Sequence, residues 1–214
     1  MRSFLMTELI VLRHGNTFDK GDVVLRVGAR TDLDLSVSGR AQAQTVGAHL
    51  SETYGAFARI IASPLKRATS TADIVRRATA SPVLIDVDAR LTEIDYGPDE
   101  GAPEADVVAR IGQAALDAWE ANAEPPPDWR VDLEALTENW RAIFRDLAAN
   151  ATSTTAGPIL AVTSNGVARF ALAAAIHDSK KSFRQKLRTG AYGRLLIGTD
   201  GNARVLEWDI RPPA

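Results

Sequence analysis

The chain has 214 residues and a mass of 23.0 kDa, and its 45% hydrophobic content is enough for one domain with a real core. A net charge of -2 and an isoelectric point near 5.9 argue against a dedicated nucleic-acid or membrane binder, which needs a strong positive field. The absence of cysteine excludes disulfides, thiolate catalysis and cysteine-ligated zinc or iron–sulfur sites, and fits a reducing compartment.

Met1–Met6 carries one early positive charge, and the apolar run Leu9–Leu12 is cut short by Arg13 and His14. That is too short for a signal segment or a membrane span, so the chain reads as soluble and cytoplasmic. Glu8–Leu12 suits a strand buried on both faces. Asp19–Asp34 has glycines and charges without a sustained period and reads as a long loop. Ser38–Leu50 has helical spacing, with Ser36 or Ser38 as N-cap. Ala58–Ala62 is a second buried strand, and Pro64 is suited to start a helix over Leu65–Arg77. Val83–Val87 gives a third strand, and Ala102–Glu120 one helix, broken by Pro125-Pro126-Pro127. Leu133–Ala149 reads as helix, Ile159–Thr163 as strand and Val167–Ile176 as helix. Arg194–Gly198 and Ala203–Trp208 form a hairpin through Asp200-Gly201-Asn202.

Strands alternating with helices predict a three-layer α/β/α sandwich with a mostly parallel central sheet and an antiparallel edge. Active residues then gather at the carboxyl ends of the parallel strands. Three unusual polar clusters lie there: after Leu12, after Ala62 and after Thr163.

Arg13-His14-Gly15 places a guanidinium and an imidazole beside a glycine that permits close backbone approach. The arginine fork matches phosphate oxygens and favours a neutral, nucleophilic His14. Taken alone, this tripeptide reads better as a hydrogen-bonded loop. Arg67 adds a second guanidinium at a helix start, itself suited to an anion. Glu93, in Leu91-Thr92-Glu93-Ile94-Asp95-Tyr96-Gly97, can donate a proton to a leaving alkoxide if a closed site keeps it protonated.

In order, these segments resemble the histidine-phosphatase (phosphoglycerate-mutase-like) superfamily. Arg13-His14-Gly15-Asn16-Thr17 is similar to its RHG-[ED]-T signature, Gly28–Ser36 to GRxDxPLT, and Gly39-Arg40-Ala41-Gln42-Ala43 to GxxQA. Ser63–Ala72 and Leu91–Gly97 follow in the expected order. The resemblance spans nearly the whole chain. It implies a single domain over 1–214, with 98–140 as a cap insertion. It also implies a phosphohistidine mechanism: His14 attacks phosphorus, Arg13 and Arg67 hold the equatorial oxygens, and Thr17 lies near the phosphate. Glu93 serves as acid and then base. No metal or cofactor is implied.

Departures from the pattern carry information. Asn165-Gly166 stands where family members have a second His-Gly, so these two residues are expected at the phosphate with an amide in place of an imidazolium. Neither His49 nor His177 replaces it. Lys20 occupies a position often held by asparagine, and reads equally as a pocket charge or a solvated lysine. Asn16 replaces an acidic residue. Trp119 and Trp140 are expected in the core, while Trp129 is left between core and substrate lining. Asp99 and Glu104 add carboxylates near the acid loop. The leading expectation is a phosphomonoester hydrolase acting on a small phosphorylated metabolite. The alternatives are a weakened member that binds a phosphorylated ligand or protein, and a phosphohistidine-protein phosphatase. Oligomeric state stays open.

Overall fold

The computed structural model describes residues 6–150, 157–176 and 183–212; His177 and Met1–Leu5 lie outside them. A six-stranded sheet runs in the order β3-β2-β4-β1-β5-β6. Its strands are β1 (Thr7–Arg13), β2 (Arg59–Ala62), β3 (Ile85–Val87), β4 (Ile159–Thr163), β5 (Tyr192–Ile197) and β6 (Ala203–Ile210). β1, β2, β3 and β4 are mutually parallel, whereas β5 and β6 add an antiparallel flank to β1. The helices are α1 (Val37–Tyr54), α2 (Lys66–Ala78), α3 (Glu104–Ile111), α4 (Gln113–Asn122), α5 (Leu133–Ala149) and α6 (Asn165–Ala174).

The period-two alternation of each strand builds two cores. Ile10, Leu12, Ile60 and Val162 pack on one face with Val46 and Leu50 of α1 and Ala72 and Val75 of α2. Leu9, Val11, Ala161 and Leu195 pack on the other with Trp140, Ile143 and Phe144 of α5 and Val167 and Phe170 of α6. Both sheet faces are covered, giving the three layers expected. Among the described residues, no helix is long and apolar enough to cross a membrane.

β1 and β4 are adjacent, yet their chains leave in opposite directions. After β1 the chain passes through α1 to β2, beyond β4; after β4 it passes through α6 on the other face to β5, beyond β1. This divergence opens a crevice at the carboxyl ends of the two strands, where open α/β sheets place ligands.

Several boundaries differ from expectation. The single helix over Ala102–Glu120 is two helices, because Gly112 at φ +81° ends α3 and starts α4. α6 begins at Asn165, two residues early, and Ile176 instead bridges to Arg204. The third strand keeps only Ile85–Val87, since Leu84 is 86% exposed on a sheet edge with too little apolar cover. Pro64 precedes the N-cap Leu65 rather than entering α2. Ser36 caps α1, accepting from the Gly39 N–H. Trp140 is fully buried in α5, so the stretch of 98–140 from Leu133 onward belongs to the helical layer.

The loop after β1 lies directly on the first turn of α1. A Cβ on Gly15 would lie 2.3 Å from the Gly39 carbonyl oxygen, and one on Gly39 2.0 Å from that of Asn16. Helix propensity alone favours alanine over glycine by about 1 kcal/mol. The backbone contact reverses that sign. Gly39→Ala is expected to lower stability by about 1–3 kcal/mol in urea denaturation, the usual cost of overpacking; a stabilised variant would show that this contact is loose.

Candidate active site

His14 follows the last residue of β1, and its N–H donates to the Thr163 carbonyl at 3.0 Å, tying the two central strand ends together. The ring is buried. Its Nδ1–H donates to the Gly15 carbonyl at 2.7 Å, because a carbonyl can only accept. Nε2 is therefore the unprotonated nitrogen of the neutral ring. Burial, followed by the charges of Arg67 and Arg13, holds the His14 pKa well below the ordinary histidine range. At neutral pH the ring carries a lone pair and no charge.

Two guanidinium groups flank it. Arg67, in the first turn of α2, is 1% exposed and donates to the carbonyls of Thr31 at 2.9 Å and Gly28 at 3.0 Å. Arg13 donates through Nη1 to the Leu187 carbonyl at 2.9 Å, and its buried Nε has no hydrogen-bond partner. Among the described residues, neither arginine forms an ion pair with a carboxylate. Burial depresses both pKa values, opposed by the nearby Glu93. Two cations, Arg67 buried and Arg13 half-buried, whose charge no contacting carboxylate among the described residues neutralises, make a strong field for an anion.

The loop that holds Arg67 is organised by Glu100. Its Oε1 accepts from the backbone N–H groups of Gly28, Arg30 and Thr31 and from the Thr31 hydroxyl, all at 2.9–3.0 Å. Its Oε2 accepts from the Tyr96 N–H at 3.0 Å. Gly28 has no room for a side chain there: a Cβ would lie 2.3 Å from Glu100 Oε2.

Glu93 is buried, with Oε1 accepting from the Ile94 N–H at 2.9 Å and Oε2 from the Gly166 N–H at 3.2 Å. Burial raises its pKa in spite of these bonds and of Arg67 and Arg13. The protonated acid is thus favoured beyond the usual carboxylate range. A Cβ on Gly166 would lie 2.2 Å from Glu93 Oε1, so only glycine fits beneath this carboxyl. Here the expectation for Gly166 changes. Its N–H is engaged by Glu93, and Gly166 does not itself line the cavity. The N-terminus of α2 is likewise taken, since the Lys66 N–H donates to Asp32 at 2.7 Å.

Asn165 is the first residue of α6 and is 8% exposed. Its Oδ1 accepts from the Leu187 N–H at 2.8 Å. A backbone N–H requires an amide oxygen, so the donor Nδ2 is the end left for the cavity. Leu187 thereby aligns both Asn165 through its N–H and Arg13 through its carbonyl.

One cavity of about 460 Å³ gathers Arg13, His14, Thr17, Arg67, Glu93 and Asn165. Asn16 lines its mouth and is held by Gln42, whose Oε1 accepts from the Asn16 N–H at 2.9 Å. Lys20 is exposed and does not line the cavity. His49 is elsewhere, hydrogen-bonded through Nε2 to the Tyr192 hydroxyl at 2.9 Å. Trp119, Trp129 and Trp140 are all buried in the core, and Asp99 is consumed by Arg110 and Trp129 Nε1. Among the described residues, no cluster of three or more histidine or acidic side chains is placed to hold a metal ion.

Several participants escape sequence reading. Arg26, Glu120 and Lys186 line the outer cavity from segments without a motif, and Glu104 joins them there. Glu100 acts on a loop 69 to 72 residues earlier, a pairing no local pattern announces.

Comparisons with known proteins agree with this geometry. The family model described as the histidine phosphatase superfamily (branch 1) matches residues 9–210. The chain is 33% identical over 98 residues to an uncharacterized phosphatase, PhoE, of Bacillus subtilis (strain 168), covering 46% of this chain and 48% of that one. It is 31% identical over 141 residues to a 2,3-bisphosphoglycerate-dependent phosphoglycerate mutase of Clavibacter sepedonicus, covering 65% and 55%. The matches thus span about half the length of these relatives. A mycobacterial glucosyl-3-phosphoglycerate phosphatase has the same fold, with a TM-score of 0.75 at 22% identity over 96% of this chain and 99% of that one. With a family match across nearly its whole length and a sheet of the same architecture, the chain belongs to the histidine phosphatase superfamily, branch 1.

Proposed function

We propose that the protein is a metal-independent phosphatase that hydrolyses a small phosphomonoester through a phosphohistidine at His14. The observation that carries this reading is the pair Arg13 and Arg67, without carboxylate partners among the described residues, beside a neutral imidazole and a carboxyl that burial drives toward its protonated form.

In the first step His14 Nε2 attacks phosphorus. The N–P bond forms as the ester P–O bond breaks, and Glu93 passes its proton to the leaving oxygen. Arg13 and Arg67 bind the equatorial oxygens as charge spreads over them. In the second step the Glu93 carboxylate takes a proton from water, the water oxygen attacks phosphorus, and the N–P bond breaks. Inorganic phosphate leaves and His14 returns to its neutral form. Arginine charge supplies what this reading requires, so no metal ion enters it. Thr17 lies at the phosphate, and the chain from 98 through α3 and α4 serves as the cap.

Asn165 fits this scheme as a neutral stand-in. A neutral histidine at 165 accepting from the Leu187 N–H through Nδ1 would present Nε2–H to the cavity. The asparagine amide has the same polarity, accepting through Oδ1 and donating through Nδ2. What it lacks is access to the charge of an imidazolium, which a histidine there would carry only by giving up the bond from the Leu187 N–H. That one difference favours a second reading, a slow member that retains a phosphorylated ligand.

Four outcomes are expected. Wild type releases phosphate from a panel of small phosphomonoesters and forms an acid-labile phosphoenzyme in rapid-quench experiments. His14→Ala loses both, with turnover down by roughly 10³-fold or more; no phosphate release from the folded wild type across the panel would count decisively against hydrolysis. kcat/KM rises as pH climbs through the depressed His14 pKa, because only the neutral ring attacks. It falls again as pH climbs through the raised Glu93 pKa, because the proton for the leaving group is lost. Glu93→Gln removes the alkaline limb and slows alkyl phosphates by about 10²–10⁴-fold, with a smaller effect on p-nitrophenyl phosphate; an unchanged alkaline limb would point to another acid. Asn165→His raises kcat by up to about 10²-fold, the scale of one strengthened transition-state donor. No gain would mean that the amide already does the work of the ring.

A further inference from the structure

We propose that the substrate is the phosphomonoester of an uncharged alcohol, and that the ion pairs Arg26–Glu104 and Lys186–Glu120 exclude leaving groups that carry a carboxylate or a second phosphate. This rests on the phosphatase reading of the same cavity. Beyond Arg13 and Arg67, two further cations line the outer wall, Arg26 and Lys186. Each is matched by an acid that lines the same cavity. Arg26 Nη2 pairs with Glu104 Oε1, and Lys186 Nζ lies 3.2 Å from Glu120 Oε2. Among the described residues, the outer wall therefore carries two positive and two negative charges, while Arg13 and Arg67 at the phosphate end have no such partners.

The Arg26–Glu104 pair is built to stay closed. The guanidinium carbon sits 5.2 Å from the Tyr96 ring centroid and 5.3 Å from that of Trp129, and the side chain is only 14% exposed. The two backbones are also joined. Arg26 N–H donates to the Ala102 carbonyl and Glu104 N–H to the Val24 carbonyl, both at 2.8 Å, around the Leu25–Pro103 bridge. Glu120 is fixed at the end of α4, where its carbonyl accepts from Arg169 Nη2 at 2.5 Å. An anionic leaving group meets cations whose charge an acid already balances, and it meets the repulsion of both carboxylates on entry. Hydroxyl groups donate and accept beside these pairs without separating charge. Phe18, Val24 and Leu25 provide apolar surface for the carbon skeleton.

The test compares glycerol 3-phosphate with 3-phosphoglycerate, which differ by a hydroxymethyl against a carboxylate at similar size. Wild type is expected to favour the neutral ester in kcat/KM by about tenfold or more, the scale of one charge-assisted contact denied to the acid. Glu120→Gln and Glu104→Gln each unmask a cation, and at least one is expected to shift that ratio toward the acid by a similar factor. Equal handling of the two esters, preference for the acid, or a ratio that neither folded variant moves would overturn the assignment. Calorimetric binding of both esters to His14→Ala reads the same preference without turnover. Neutral preference in binding with no wild-type hydrolysis would sink the phosphatase reading alone; hydrolysis with acid preference would sink this inference alone.

Discussion

The candidate site depends on Arg67, buried, and Arg13, half-buried, being held by backbone carbonyls and, among the described residues, by no carboxylate. Removing a guanidinium from water is costly, and a buried acid within contact would be the usual compensation. Here the compensation is only partial: Leu187 serves Arg13, Gly28 and Thr31 serve Arg67, and the buried Arg13 Nε has no partner. The same two charges set the chemistry around them. They reinforce burial in keeping His14 neutral, and they oppose it at Glu93, where burial still prevails. An uncharged ring at His14 and a carboxyl shifted toward its protonated form at Glu93 thus arise side by side in one cavity.

Holding that arrangement uses elements from the whole chain. The central strands β1 and β4 diverge at their carboxyl ends, delivering Arg13 and His14 from one and Asn165 from the start of α6 after the other. Glycines make the close approaches possible. Gly15 and Gly39 bring the loop after β1 onto α1, and Gly166 lets the N-terminus of α6 support Glu93. Glu100 freezes the loop that in turn fixes Arg67. Its five accepted hydrogen bonds, four from backbone N–H groups and one from the Thr31 hydroxyl, form a cradle behind Arg67.

Much of this was legible in the sequence, for identifiable reasons. The apolar strands ending abruptly in Arg13-His14, Ser63 and Ser164-Asn165 carry both the layer architecture and the place of the site, because buried parallel strands have a distinctive composition. The cap was harder. A continuous helical pattern across Ala102–Glu120 hides the break at Gly112, since periodicity cannot see a positive φ. Gly166 was read as a contact for substrate because its motif is local, whereas its partner Glu93 is 73 residues away. Glu100, Arg26 and Lys186 gave no signal for the same reason: their roles arise from contacts between distant segments.

The most direct test is a crystal structure of the wild-type protein with orthovanadate bound. Vanadium is expected at bonding distance from His14 Nε2, with Arg13, Arg67 and Asn165 Nδ2 each within hydrogen-bonding distance of its oxygens and Glu93 facing the apical oxygen. Vanadate seated elsewhere, or bound with His14 and the two arginines turned away from it, would contradict the account.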